Sequence, residues 1–234
     1  MKLEICANSY QSVMNAQDSG AQRVELCAEL SVGGITPSYG FLKKVSEETS
    51  IPINVLIRPR SGNFLYSEEE FSLMKDNIKL CKELGFNGIV SGVLNSDNSI
   101  DIARTKELIK LTKPLSFTFH RAFDCIENSK KALEILIDLG VDSILTSGKK
   151  EKAAQGIELL KELKQLAKRR IIILPGSGIN SDNAQLFKEA GFREIHSSAS
   201  KIIPSKKSIF FGNTTQTVSD IKNIKEILKV IKNE

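Results

Sequence analysis

Residues 2–7 read KLEICA, and a close echo, QRVELC, returns at 22–27. In each, a glutamate and a cysteine stand two apart among apolar residues: Glu4 with Cys6, Glu25 with Cys27. Side chains two apart on a strand share a face. Two early strands therefore turn a carboxylate and a thiol to the same side. Working outward, further β-patterned runs cover 52–58, 87–93, 115–120, 142–147, 171–175 and 193–198. Helix-patterned segments fall near 9–19, 38–49, 67–84, 101–112, 128–139, 151–168, 181–190 and 217–232. Four of them end in DSGAQ, ELGFN, DLGVD and EAGFR, where glycine just past the periodic run suits a left-handed cap. Eight strands, each followed by a helix, is the count of a closed parallel (β/α)8 TIM barrel of the α/β class. An open doubly wound sheet gives no reason to stop at eight.

The chain has 234 residues, close to the length of one such barrel. No linker, low-complexity tract or charge block marks a boundary, so one domain over 1–234 is expected, with 201–234 closing or decorating the barrel. An apolar fraction of 41% and a charged fraction of 26% are those of an ordinary soluble globular protein. The formal charge of +5 comes mostly from lysines scattered over helix patterns. Without a clustered stripe and interleaved aromatics, these lysines read as solvated helix faces and not as a nucleic-acid footprint. No run approaches the roughly 20 apolar residues of a membrane span, and the N-terminus lacks the apolar core of a secretory signal. A cytoplasmic protein is expected. Cys6, Cys27, Cys81 and Cys125 are widely spread and form no C-x-x-C pair, so neither a zinc ribbon nor a dense disulfide framework is suggested, and reduced thiols are expected. Cys81 and Cys125, on helix or helix-leading segments, read as structural.

Alternation assigns the barrel interior. Leu3, Ile5, Val24 and Leu26 belong on the helix side, which turns Lys2, Glu4, Cys6, Arg23, Glu25 and Cys27 inward. By the same parity Arg58, Thr118, His120, Glu194 and His196 face inward. Closure would set strand eight beside strand one, so three adjacent strands carry Glu-x-His, Glu-x-Cys and Glu-x-Cys on inner faces that are usually branched and apolar. Two readings of the lower level stand, a functional one in which its carboxylates serve the chemistry above, and a structural one. Lys2 and Arg23 could pair with Glu4 and Glu25 as a buried network that specifies the fold. The upper level, Cys6, Cys27, Arg58, His120 and His196, falls at the C-terminal strand ends, where barrel enzymes place their chemistry. Either cysteine could also be a small buried apolar residue.

The loops add to that upper level. Gly176, Ser177 and Gly178 follow strand seven, and Ser197 and Ser198 end strand eight, positions where such barrels bind phosphate. Arg58 and Arg60 flank Pro59 as a clamp for carboxylate or phosphate. His120, Arg121 and Asp124 follow strand five, where an imidazole suits acid–base work, although Asp124 could instead cap the next helix. Ser147 adds a polar mouth at strand six. These residues describe an enzyme of isomerase or lyase type acting on a small anionic or phosphorylated metabolite. His120, Glu25, Arg58 and Asp124 would be its catalytic groups. No lysine stands at an inward strand position near the upper end, which disfavours a Schiff base.

The motifs EICANSYQSVMNAQDSGAQRVELCAELSVGGITPS, IRPRSGNFLYSEEEF, TFHRAFD, LTSGKK, PGSGI and IHSSAS occur in collinear order from about residue 3 to about residue 200. Together they resemble the CutC family, named for copper homeostasis. The resemblance implies a (β/α)8 barrel, a cytoplasmic copper-homeostasis role and Cu(I) binding. The matching positions are Glu25, Cys27, Arg58, Arg60, His120, Arg121, Asp124 and His196. Thiolate and imidazole suit Cu(I), which makes Cys27, Cys6 and His196 the candidate ligands. The family loop R-P-R-G-G-D-F has Ser61 and Asn63 here, and its G-G-G has Ser177 at the centre. A homo-oligomer is expected; Phe210 and Phe211 either cover the barrel bottom or form a subunit interface.

Overall fold

Strand by strand, branched apolar side chains face one way and polar or small ones the other. Leu3, Ile5, Val24, Leu26, Val55, Ile89, Phe117, Ile144, Ile173 and Ile195 are buried together in the layer between strands and helices. Cys6, Cys27, Leu56 and Val90 form a separate small cluster inside the ring. The computed structural model describes residues 1–204 and 215–232. Its elements run β1 (Lys2–Ala7), α1 (Tyr10–Asp18), β2 (Arg23–Leu26), α2 (Tyr39–Glu48), β3 (Ile53–Leu56), α3 (Glu68–Glu83), β4 (Gly88–Ser91) and α4 (Ile102–Thr112). Next come β5 (Ser116–Phe119), α5 (Ser129–Asp138), β6 (Ser143–Thr146), α6 (Ile157–Ala167), β7 (Ile172–Pro175), α7 (Ala184–Glu189), β8 (Glu194–Ser197), β9 (Ser200–Ile202), β10 (Thr217–Ser219) and α8 (Ile221–Lys232).

The first eight strands form one sheet in the order β7-β6-β5-β4-β3-β2-β1-β8. All neighbours are parallel, and a bridge between Gly176 and His196 joins β7 to β8. This is the expected TIM barrel. Register sets the inner levels: Lys2 pairs with Glu194, Glu4 with His196 and with Arg23, and Cys6 with Glu25. Most strands are shorter than their sequence pattern because loops capture the outer backbone groups. The Arg58 N–H, for example, donates to Thr36 Oγ1 at 2.8 Å. Helix stops behave as read: Gly85 (φ +77°) and Gly140 (φ +78°) take the left-handed conformation just past α3 and α5.

Two boundaries differ from the sequence pattern. Residues 151–156 are turns, and α6 begins at Ile157 because Gly156 lies against the strand-six exit. A Cβ there would come within 2.1 Å of the Ser147 carbonyl oxygen. The C-terminal segment starts with β10, antiparallel to β9, where the pattern predicts a helix from 217. Helix α8 then packs on α7 and α1, in the place of the barrel's eighth helix. Phe210 and Phe211 lie outside the described residues.

Candidate functional site

The C-terminal ends of the strands open into a cavity of about 570 Å³. Its floor is an ionic chain built from β8, β1 and β2. Arg23 donates to Glu4 through Nε and to Glu194 Oε2 through Nη2 at 2.6 Å, while Lys2 Nζ lies 3.4 Å from the other Glu194 oxygen. Glu4 Oε1 lies 2.8 Å from His196 Nδ1, and His196 Nε2 lies 3.3 Å from Glu25 Oε2. Sulfur continues the chain, with Cys6 Sγ 3.7 Å from Cys27 Sγ. One ligand atom each from Cys6, Glu25 and His196 fall within 4.8 Å of one another. The sequence pattern pairs Arg23 and Lys2 with Glu4 and Glu25 at the lower level. Arg23 does meet Glu4, but Glu25 instead faces His196, and Glu194 takes Lys2 and the second contact of Arg23.

Electrostatics follow from this order. Burial raises the Glu4 carboxyl, but the His196 hydrogen bond and the Arg23 charge outweigh it and hold the group at about 2. Glu25 is raised, by burial and then by the charge of Glu4, against the opposing pull of His196. For His196 burial favours the neutral ring, yet Glu25 and Glu4 prevail and raise it. The Cys6 thiol lies well above its usual range through its hydrogen bond with Cys27, its burial and the Glu25 carboxylate. The resting floor is therefore a thiol beside a carboxylate–imidazole–carboxylate relay.

The opposite wall is cationic. Arg58, on the exit from β3, donates to the carbonyl oxygens of Val32 (2.9 Å), Gly34 (2.9 Å) and Gly62 (2.8 Å). Phe64 lies between Arg58 and His120, with its ring 5.0 Å from the guanidinium carbon and 4.8 Å from the imidazole centroid. His120 Nδ1 accepts the Ala122 N–H at 3.3 Å, which places the ring proton on Nε2. Burial, helped by Arg58, lowers the His120 pKa to about 3. It is a neutral N–H donor and not a group poised to shuttle protons at pH 7.

Of the residues singled out from the sequence, Cys6, Glu25, Arg58, His120, Arg121, Asp124, Ser177, Gly178, His196, Ser197 and Ser198 line this cavity. The others do not. Cys27 lies one step behind Cys6, fully buried. Gly176 packs against Leu145 and His196. Ser147 donates to the Lys150 carbonyl and receives Arg121 at 2.9 Å. The Arg58–Arg60 clamp does not form: Arg60 turns outward to Glu70 (2.6 Å) and Asn63, so the Asn63 substitution also sits outside the cavity. Asp124 caps no helix, since Asn128 caps α5. It accepts from Arg121, Thr146, Ser147 and Lys149, tying the 121–125 turn to the end of β6. Among the lining residues that escape a reading of the sequence, three bear on its chemistry. Phe64 and Lys152 sit on loops, where no periodicity reports direction. Cys125, expected to be structural, is exposed at the mouth because its segment is a 3₁₀ turn and not the start of a helix. Cys81 is buried in the core as expected.

Residues 1–201 match the model of the CutC family. A CutC family protein of Parabacteroides distasonis is 50% identical over 206 residues, covering 87% of this chain and 85% of its own. One from Salmonella newport is 46% identical over 203 residues, covering 87% and 82%. A solved structure from Streptococcus agalactiae, described as a candidate copper homeostasis protein CutC, superposes with a TM-score of 0.80 at 35% identity, over 85% of this chain and 98% of that one. With the barrel, the recurrent Glu-x-Cys strands and these matches together, the chain belongs to the CutC family.

Proposed function

We propose that this chain serves copper homeostasis as a cytoplasmic Cu(I)-binding protein, with Cys6 and Cys27 as thiolate ligands and His196 beside them. The observation that carries the reading is the sulfur pair 3.7 Å apart, with Cys6 on β1 lining the open cavity and Cys27, just past the end of β2, directly behind it. Thiolates and imidazole are the soft and borderline donors that favour Cu(I). Glu4, bound to His196 Nδ1, is placed as an outer carboxylate that fixes the ring, and the ion would take Nε2 from its 3.3 Å contact with Glu25. Glu25, a harder donor, is better suited to accept a displaced thiol proton. The description of the Streptococcus agalactiae relative supports the same role. All four cysteines are free thiols, as a reducing cytoplasm would keep them. Among the described residues no helix is long and apolar enough to cross a membrane. A homo-oligomer is part of the proposal, checked by sedimentation.

The test is an anaerobic Cu(I) titration of reduced protein against a chromogenic chelator, beside Cys6→Ser and Cys27→Ser. One equivalent should bind, and either serine should weaken it at least 100-fold. Because the Cys6 thiol is raised and must lose its proton to bind, apparent affinity should climb with pH, by up to about tenfold per unit for each proton displaced. Binding untouched by both serines would overturn the site.

A second reading is favoured by one observation, the imidazole of His196 held between two buried glutamates at the cavity floor. That relay suits acid–base chemistry on a small anionic metabolite, with Glu25 as the proton-accepting group. Lys152 reaches the rim from the loop after β6. Turnover of any stabilising metabolite should vanish in Glu25→Gln; turnover that survives this change would contradict the relay.

A further inference from the structure

We infer that Arg58 and His120 form an oxyanion subsite in the wall of the mouth cavity, built for the carboxylate or phosphoryl group of a small molecule. Arg58 is 5% exposed, yet among the described residues it has no ion pair, and its Nε–H has no acceptor. Its three hydrogen bonds go to backbone carbonyls, which satisfy donors without supplying a counter-charge. A buried cation left so is costly, and proteins normally pair it. The acidic groups around the cavity are committed elsewhere. Glu25 faces His196, Asp124 is held by Arg121 and the end of β6, and Glu70 is taken by Arg60. The neighbouring Tyr66 hydroxyl lies within the influence of Arg58 but is neutral near pH 7, since burial outweighs the Arg58 charge and pushes its pKa to about 12, so it supplies no counter-charge.

His120 supplies the second, independent observation. It is 4% exposed, its Nδ1 is occupied by the Ala122 N–H, and its Nε2 has no partner. A buried N–H donor without an acceptor is as unusual as a cation without an anion. Both side chains line the same cavity and both lie against the Phe64 ring. A guanidinium and a neutral imidazole N–H, together short of an acceptor, are complementary to one oxyanion. A role limited to pinning the 30–34 and 62 loops explains the three carbonyl contacts of Arg58. It leaves the Arg58 charge and the His120 donor unexplained.

The subsite would give the acid–base reading its ligand and rests on that reading only for the chemistry after binding; it requires neither thiol. The experiment titrates wild-type protein with inorganic phosphate and, separately, with malonate, against chloride at equal ionic strength. Imidazole ¹⁵N correlation spectra provide the readout. The chain has 2 histidines, so assignment is direct. Saturable binding by phosphate, malonate or both should shift the His120 Nε2 resonance, the responding anion naming phosphoryl or carboxylate chemistry. Arg58→Lys should weaken that binding at least tenfold and His120→Phe at least fivefold. If neither anion saturates, if only His196 responds, or if both variants bind as wild type does, the subsite is overturned. The wild-type spectra decide the matter even where a variant fails to fold. A metabolite that stabilises wild type and both variants equally would leave the acid–base reading standing while sinking this subsite.

Discussion

His120 and His196 face one cavity and are pushed in opposite directions. Burial beside Arg58 takes His120 from 6.5 to about 3, so between those values the unfolded chain binds a proton that the folded chain refuses. Stability attributable to this ring therefore falls as pH drops through that window, by on the order of 5 kcal/mol in full and about 3 kcal/mol by pH 4.5. Urea unfolding at pH 7 and pH 4.5 should show a smaller loss for His120→Phe than for wild type; equal losses would contradict the assignment. His196 behaves inversely. Its raised pKa stabilises the fold at low pH, and that contribution fades as pH rises through the folded value. Replacing Glu4 by Gln removes one of the two carboxylates responsible, so the His196 titration midpoint should fall in NMR titrations. A midpoint that stays in place would mean Glu25 alone sets it.

At the level of single elements, the barrel interior tolerates little. Gly88 opens β4 between β3 and β5, and a Cβ there would stand 2.3 Å from both Asn54 Oδ1 and Ser116 Oγ. Gly88→Ala should cost roughly 1–3 kcal/mol in denaturant unfolding through overpacking, and an unchanged midpoint would show that these side chains can move aside. Strand faces are legible in the sequence for the same reason that they are intolerant. Alternation with period two fixes direction, and it places Glu4, Cys6, Glu25, Arg58, His120 and His196 inward, where they are found. It carries no information about depth. Cys27 shares the inward face and is walled off behind Cys6. Loops carry no period at all. That is why the sequence suggests a clamp at Arg60, which turns instead to Glu70 and supports the capping box of Ser67 and Glu70 at the start of α3.

Across the whole molecule, the ring closes where its interior is most charged. Arg23 of β2 reaches Glu4 on β1 and Glu194 on β8, linking the three strands that also supply the floor of the cavity. Arg23→Met would remove the guanidinium that two buried carboxylates share, leaving Glu194 only Lys2 and Glu4 only His196, and breaking a buried pair from one side costs about 3–5 kcal/mol. Urea unfolding at pH 7 measures this; a loss below about 1 kcal/mol would show that the network does not hold the seam. The eight-strand count makes the barrel legible from sequence. The exchange of partners at its floor is not legible, because which carboxylate meets which base depends on strand stagger. The same seam carries the thiols, and the proposed copper role depends on them. X-ray absorption at the copper K-edge of protein loaded anaerobically with one equivalent of Cu(I) tests this most directly. Two sulfur neighbours and one imidazole nitrogen are expected, with one sulfur lost in Cys27→Ser. A first shell of oxygen and nitrogen alone, or a spectrum unchanged by that substitution, would contradict the copper assignment.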